Sequence, residues 1–344
     1  MSSAMDFGAK TTAFEVAQTF SSRIAGKTAL ITGVTLGSIG DATARAFAHG
    51  GAETVVITGR DNTKLSTARK ALTEAYPKTR FRPLNLDLSS LKAVQKAAEE
   101  ILVDKNVLQI DFLVANAGRN TFDQPRIETT DGIESHFGAN HLGHHLFVKQ
   151  LLPKIRAAAA KNAPGETRIV VVSSNGSMTS PIRFSDWNYV KASNDVPDDE
   201  KPNWGPYAAL CGLEPEPASF EANIAYGQSK TANVLMAVHL NKLSAGEGIY
   251  SFSLHPGFVE SNGVKDFIPK MSDTLKPLLN QIKTLEQGAA TSLVAAVDPG
   301  LKPEGGVFLV DCQVNREMCP SWACDEGAAE KLWQLSEEIL DSKL

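Results

Sequence analysis

The chain is expected to fold as an α/β domain on one doubly wound parallel sheet, Rossmann-like, with helices on both faces. Three observations predict this. Strand-like apolar runs alternate with helix-like stretches almost throughout, which implies a parallel sheet with right-handed crossovers. The first such run passes through a glycine-containing turn into an alanine-rich helix, as at a dinucleotide site. At 344 residues, 42% of them hydrophobic, the chain can bury a full core as one domain. The expected organisation is a single domain over 1–344, with a helical extension at 1–26 and an insertion at 175–225.

Lys27 to Thr32 reads as a short buried strand. It runs into Gly33-Val34-Thr35-Leu36-Gly37-Ser38-Ile39-Gly40, and Asp41 to His49 then reads as a helix. Glycines there let the backbone approach a pyrophosphate, and the helix aims its first N–H groups at it. The plainer alternative is an ordinary strand-to-helix loop. The second strand, Thr54 to Thr58, ends in Gly59-Arg60-Asp61. NAD sites usually carry an acid at the end of this strand to hold the ribose hydroxyls. Gly59 occupies that place and Arg60 follows; an arginine fork suits a 2′-phosphate and stacks on adenine. This favours NADP(H), against a solvated Arg60 with Asp61 as the ribose acid.

Phe81 to Leu86 is a third strand, ending at Asp87-Leu88-Ser89-Ser90, where either serine would cap the helix Leu91 to Leu102. Asp87 would accept from an adenine amino group or serve in the turn. Ile110 to Ala115 is a fourth strand, closed by Asn116-Ala117-Gly118, small residues beside which a cofactor can lie. Gly132 to Ala160 reads as one long helix, and Asn140 inside it is mildly unfavourable, so it has a buried polar task or is simply exposed. Arg168 to Val172 is a fifth strand and delivers Ser173-Ser174.

The chemistry centres on Tyr226-Gly227-Gln228-Ser229-Lys230. Residues four apart share one face of a helix. An ammonium beside a phenol favours the phenolate and lowers its pKa, giving a general acid/base near neutral pH. Ser174 would hold the substrate oxygen, and a nicotinamide would exchange hydride at the same carbon. Such a Tyr/Lys pair is common by chance; its weight comes from the other pieces standing in order.

Together these motifs resemble the short-chain dehydrogenase/reductase superfamily: Thr32-Gly33 to Gly40, Asp87-Leu88, Asn116-Ala117-Gly118, Asn140, Ser174, Tyr226/Lys230 and Pro256-Gly257. Within it the chain is similar to the retinol-dehydrogenase and WW-domain-oxidoreductase-like branch found in filamentous fungi. Ala225 to Asn233, His255-Pro256-Gly257, Glu286 to Ala290 and Ala329 to Glu338 carry that closer likeness. The resemblance covers nearly the whole chain. It implies Tyr226 as proton donor in reduction, Lys230 lowering its pKa and holding the nicotinamide ribose, and Ser174 orienting the carbonyl. It implies that Asn140 kinks its helix and holds a water linked to Lys230. It also implies a cofactor site from Gly33, Leu36, Gly37, Ser38, Ile39, Gly40, Arg60, Asp87, Leu88 and Asn116 to Gly118. Pro256, Gly257, Val259 and Ser261 would line the nicotinamide side, Ser261 standing where threonine is usual.

Two departures stand out. Gly33, Gly37 and Gly40 are spaced one residue wider than the common Gly-x-x-x-Gly-x-Gly. The stretch Asn175 to Ala225 is far longer than usual and carries Trp187, Tyr189, Trp204 and Tyr207. Its aromatics either cover an apolar substrate or pack on themselves.

The expected function is an NADP(H)-dependent ketoreductase or alcohol dehydrogenase acting on an apolar small molecule in fungal metabolism. The alternatives are a silent NADP-sensing protein, which should have lost Tyr226, Lys230 or Ser174, and an enoyl reductase, in which the tyrosine and lysine stand further apart. A net charge of −5 argues against a nucleic-acid surface. No span or signal peptide is expected, and Thr12 to Ile24 reads as an amphipathic helix. Cys211, Cys312, Cys319 and Cys324 match no zinc spacing. His141, His144 and His145 lack an acid in helical register, so core packing or exposure is favoured over a metal. The chain ends Ser342-Lys343-Leu344, a tripeptide read by peroxisomal import receptors, unless the match is chance and the enzyme cytosolic. A homodimer is left open.

Overall fold

The computed structural model describes all residues except 1–6, 122–124, 193–194, 212–219, 262–263, 266–267, 269–275 and 304–307. Eight strands form one sheet: β1 (Thr28–Ile31), β2 (Thr54–Gly59), β3 (Arg80–Asn85), β4 (Phe112–Ala115), β5 (Thr167–Val172), β6 (Ile249–His255), β7 (Phe308–Val310) and β8 (Gln313–Val314). Their order is β3-β2-β1-β4-β5-β6-β7-β8. All pairs are parallel except β7–β8, a hairpin whose turn residues Asp311 and Cys312 take φ of 52° and 64°. The central strands β1, β4 and β5 are buried at every position, as two covered faces require.

The helices are α1 (Ala13–Thr19), α2 (Ser21–Ile24), α3 (Ile39–His49), α4 (Asn62–Ala75), α5 (Leu91–Val103), α6 (Gly143–Ala159), α7 (Trp204–Cys211), α8 (Ala222–Leu243), α9 (Leu285–Val297) and α10 (Glu326–Lys343). One face of the sheet packs on α1, α3 and α9 around Phe47, Phe112, Phe252 and Leu293. The other packs on α5, α6 and α8 around Leu113, Phe147, Val171 and Leu235, and Leu332, Ile339 and Leu340 of α10 complete that core. No helix among the described residues is long and apolar enough to cross a membrane.

Several local expectations are refined. The N-terminal helix breaks at Phe20 into α1 and α2, with α1 started by a Thr12/Glu15 capping box. Ser90, not Ser89, caps α5, accepting from the Ala93 N–H. The single helix expected from Gly132 is a π-helical turn, Phe137–Leu142, followed by α6. Cys319 and Cys324 are joined as a disulfide, a pairing not anticipated from their spacing, and Cys312 is buried and free.

The insertion packs partly on the main core, through Ile182, Phe184 and Trp187, and partly on itself. Tyr189, Tyr207, Ile224 and Ala225 form a small core with Trp204 and Phe220 against it. The buried Arg183 guanidinium lies 3.9 Å over the Tyr189 ring and pairs with Asp186 at 2.5 Å. Tyr189 and Tyr207 are thus buried as internal packing among the described residues.

Candidate active site

Strand order reverses between β1 and β4, so their carboxyl ends open a crevice at the topological switch point. The glycine turn lies on one side of it. Gly33 has φ +74°, and a Cβ there would sit 2.8 Å from Ala117 Cα and Cβ. Gly37 has φ +73°. A Cβ on Gly40 would meet the Gly33 carbonyl at 2.4 Å and Asn116 Nδ2 at 2.8 Å. The wider spacing thus still yields two left-handed turn positions and one close helix approach, and α3 starts two residues earlier than expected, at Ile39.

Ser38 caps α3 by accepting from Asp41 N–H at 3.2 Å, and the Gly37 N–H donates to Asp41 Oδ2 at 3.2 Å. Gly37 and Ser38 are therefore committed within the turn. Among the described residues no protein acceptor faces the N–H groups of Ile39 and Gly40, the first two of α3. Those N–H groups and the glycine cradle, with Leu36 half-buried on its rim, fit a pyrophosphate.

At the end of β2, Asp61 caps α4, its Oδ1 accepting from Thr63 and Lys64 N–H at 2.9 and 3.0 Å. One of its oxygens is engaged at the helix start, and the Arg60 side chain is exposed. Asp87 Oδ1 accepts from the Ser89 N–H and hydroxyl at 3.0 and 2.6 Å, so Asp87 serves in the turn and keeps only its other oxygen for a base. The Leu88 carbonyl lies where a Cβ on Gly143 would sit 2.4 Å away, locking this turn onto α6. Asn116 Nδ2 donates to the Thr32 carbonyl at 2.8 Å, fastening the ends of β1 and β4 together.

The opposite wall comes from β5 and α8. Ser174, extended at φ −163°, caps a short turn by accepting from Gly176 N–H at 3.1 Å. Its hydroxyl donates to Asn175 Oδ1 at 3.2 Å, and its proximity to the Tyr226 phenol favours the phenolate. Lys230 Nζ donates to the Val172 carbonyl at 3.1 Å and lies 5.5 Å from the Tyr226 ring centre. Gly118 lies beside it, an added Cβ meeting Lys230 Nζ at 3.4 Å and Asn140 Oδ1 at 4.0 Å. Ser174, Tyr226, Lys230, Asn140 and the Asn116–Gly118 segment thus converge.

Two expectations change. Lys230 does not lower the Tyr226 phenol here: burial pushes it up to about 12, and the nearby Ser174 hydroxyl only offsets this. The ammonium is turned to a carbonyl and is itself brought down to about 8 by burial. The Asn140 side chain is taken at both ends. Its Oδ1 accepts from Arg119 N–H at 2.7 Å, and its Nδ2 donates to the Arg119 carbonyl at 3.0 Å and Ser229 Oγ at 2.9 Å. The expected kink is the π-helical turn itself.

Pro256 and Gly257 follow β6. Gly257, at φ +91°, rests on the Lys283 stem, whose ammonium pairs with Asp311. Val259 bridges Lys283 through the backbone. The Ser261 N–H donates to the Val259 carbonyl at 2.6 Å, and part of the segment after Ser261 lies outside the described residues.

Sequence reasoning missed the supports of this site. His136, fully buried, shares Oε1 of the buried Glu134 at 2.8 Å through Nδ1 and takes the Thr121 N–H on Nε2 at 3.2 Å. Its ring lies edge-on to Tyr226, 6.0 Å between centres. From the insertion, Asn188 Oδ1 accepts from Glu134 N–H at 2.7 Å, and the Trp187 carbonyl accepts from Gln228 on α8 at 3.0 Å. Spacing along the chain carries no trace of these pairings. His141 and His145 are buried and bonded to Ser336 and Glu337, and among the described residues no cluster fit for a metal occurs.

The short chain dehydrogenase family model matches residues 27–191. An oxidoreductase, fscI, from Fusarium equiseti is 35% identical over 73% of this chain and 94% of its own. Retinol dehydrogenase 12 of Mus musculus is 33% identical over 92% and 87%. An uncharacterised protein of Mycobacterium Paratuberculosis superposes with a TM-score of 0.64 at 27% identity, covering 92% of this chain and 94% of its own. With the switch-point crevice and the Ser174–Tyr226–Lys230 wall, these likenesses establish that the chain belongs to the short-chain dehydrogenase family, as an oxidoreductase of its retinol-dehydrogenase-like branch.

Proposed function

We propose that the protein is an NADP(H)-dependent carbonyl reductase or alcohol dehydrogenase acting on an apolar small molecule in fungal metabolism. The observation that carries it is the convergence of half-buried Ser174 and Tyr226 with buried Lys230 beside an open crevice with a phosphate-fitting turn. NADP(H), when bound, supplies or accepts the hydride. The glycine cradle and the Ile39 and Gly40 N–H groups would hold its phosphates. Arg60 would hold the 2′-phosphate, since Gly59 leaves no acid at the end of β2 and Asp61 turns one oxygen to capping α4.

In the reductive direction Ser174 Oγ donates a hydrogen bond to the substrate carbonyl. Tyr226, a neutral phenol, gives its proton to the same oxygen, and Lys230 replaces it. In oxidation the alcohol proton returns to Tyr226. An apolar substrate accords with the retinol-dehydrogenase relatives. Peroxisomal import through Ser342-Lys343-Leu344 belongs to the same proposal: all three residues are exposed, at the last turn of α10 and its end.

The test is NADPH consumption by the purified protein against a panel of ketones and aldehydes that includes retinaldehyde. Turnover that disappears in Tyr226→Phe supports the reading. NADPH binding without turnover of any carbonyl or alcohol would leave a nucleotide-binding protein instead.

A further inference from the structure

His144 has two hydrogen-bonded ring nitrogens and no exposure. Nδ1 lies 3.0 Å from the Asn140 carbonyl. A carbonyl only accepts, so this nitrogen carries the proton. Burial holds the imidazole neutral, down to about 4, so Nε2 accepts, and its partner is the Thr32 hydroxyl at 2.9 Å. Thr32 Oγ in turn accepts from the Ala117 N–H at 2.9 Å. On the other side Asn140 Nδ2 donates to Ser229 Oγ, and Ser229 donates to the Tyr226 carbonyl at 2.7 Å.

Two hydrogen-bonded runs, joined through Asn140, whose backbone carbonyl accepts from His144 and whose side-chain amide donates to Ser229, lead from the floor of the cofactor crevice to the first turns of the catalytic helix. Ala117 gives to Thr32, Thr32 to His144, His144 to Asn140, Asn140 to Ser229, and Ser229 to Tyr226. Thr32, His144, Asn140 and Ser229 are all fully buried. Buried groups that lose a partner find no water to replace it, so each link holds its neighbour's orientation.

We infer that His144 is a positioning residue that couples the cofactor ends of β1 and β4 to Asn140 and so to Tyr226. The inference rests on the NADP(H) reading above. Thr32 immediately precedes Gly33, and Ala117 lies against that glycine. Cofactor pressing on this turn is felt at the π-helical turn through the imidazole.

The experiment is hydrogen exchange on the full chain with and without NADPH, followed by kinetics. In the wild type, NADPH should slow exchange both at 33–40 and at 137–142. In His144→Phe the slowing at 33–40 should persist while that at 137–142 is lost. kcat should fall ~10–100-fold with NADPH affinity nearly unchanged, the size expected for a small misplacement of reacting groups. His144→Asn keeps a donor for the Asn140 carbonyl and should recover part of kcat. Should His144→Phe not fold, Thr32→Val cuts the same chain and Thr32→Ser restores it. In the double variant the losses should not add, because the two side chains act as one unit.

No NADPH protection at 33–40 in the wild type would overturn the cofactor reading. Normal protection at 33–40, with equal protection at 137–142 in wild type and variant, would overturn the His144 inference alone. Additive kcat losses would do the same.

Discussion

Tyr226 enters as an acid. With its pKa raised to about 12 it holds its proton across the physiological range. Removing that proton while keeping the ring, in Tyr226→Phe, should cut turnover by ~10²–10⁴-fold, the usual worth of a general acid, with calorimetric NADPH affinity retained. Turnover near wild type in that variant would take Tyr226 out of the mechanism. Lys230 sets the alkaline side. Its ammonium, brought down to about 8, must be charged to resupply the phenol. Reductive kcat should therefore be level below pH ~8 and decline above it, read from a pH–rate profile. Arg60→Ala should weaken NADPH and leave NADH little changed; equal losses would favour NAD. Ser174, Tyr226 and Lys230 were legible because their roles need particular side chains in a particular order. Asp87 and Asn140 were legible as polar sites but not in their partners, which come from two and twenty-one residues away.

At the level of elements, α8 docks on the Ser174 turn through Gly227. A Cβ there would sit 2.1 Å from Thr179 Oγ1 and 2.7 Å from the Gly176 carbonyl. Gly227→Ala should cost ~1–3 kcal/mol by overpacking, measured in urea unfolding, and should lower kcat because Tyr226 moves with its helix. The insertion acts as a brace. Asn188→Ala removes the acceptor of the Glu134 N–H and leaves a buried donor unpaired, worth ~1–3 kcal/mol. Exchange at 132–137 should then quicken; unchanged protection would mean the brace carries no load. The length of 175–225 was evident as an anomaly. That its aromatics pack partly on the main core and partly on one another was not, because aromatic residues look alike whatever they face.

At the level of the whole molecule, buried histidines make stability pH-dependent. His144 has a folded pKa of about 4, below the unfolded value of about 6.5. The unfolded chain takes the proton first, so stability is whole above pH ~6.5 and drains away as pH falls towards 4. For His144 alone the loss approaches ~3 kcal/mol. Tm should therefore drop steeply over that window, and less steeply in His144→Phe. A Tm flat from pH 7 to 4 would contradict this burial. The exposed C-terminus makes a second prediction. An N-terminally tagged fluorescent fusion should collect in puncta with a peroxisomal marker and disperse on deletion of Leu344, whose side is 53% exposed. Diffuse signal from the intact fusion would make the tripeptide a coincidence.

The sequence by itself determined the doubly wound sheet, the glycine turn, and the trio Ser174, Tyr226 and Lys230. Apolar periodicity and local motifs are properties of neighbouring residues, and neighbours are what a sequence displays. Only the tertiary structure decided that Lys230 turns to Val172 and that His144 joins Thr32 to Asn140. Each of those depends on which buried donor meets which acceptor. That pairing is settled when strands and helices distant in the chain close together and exclude water.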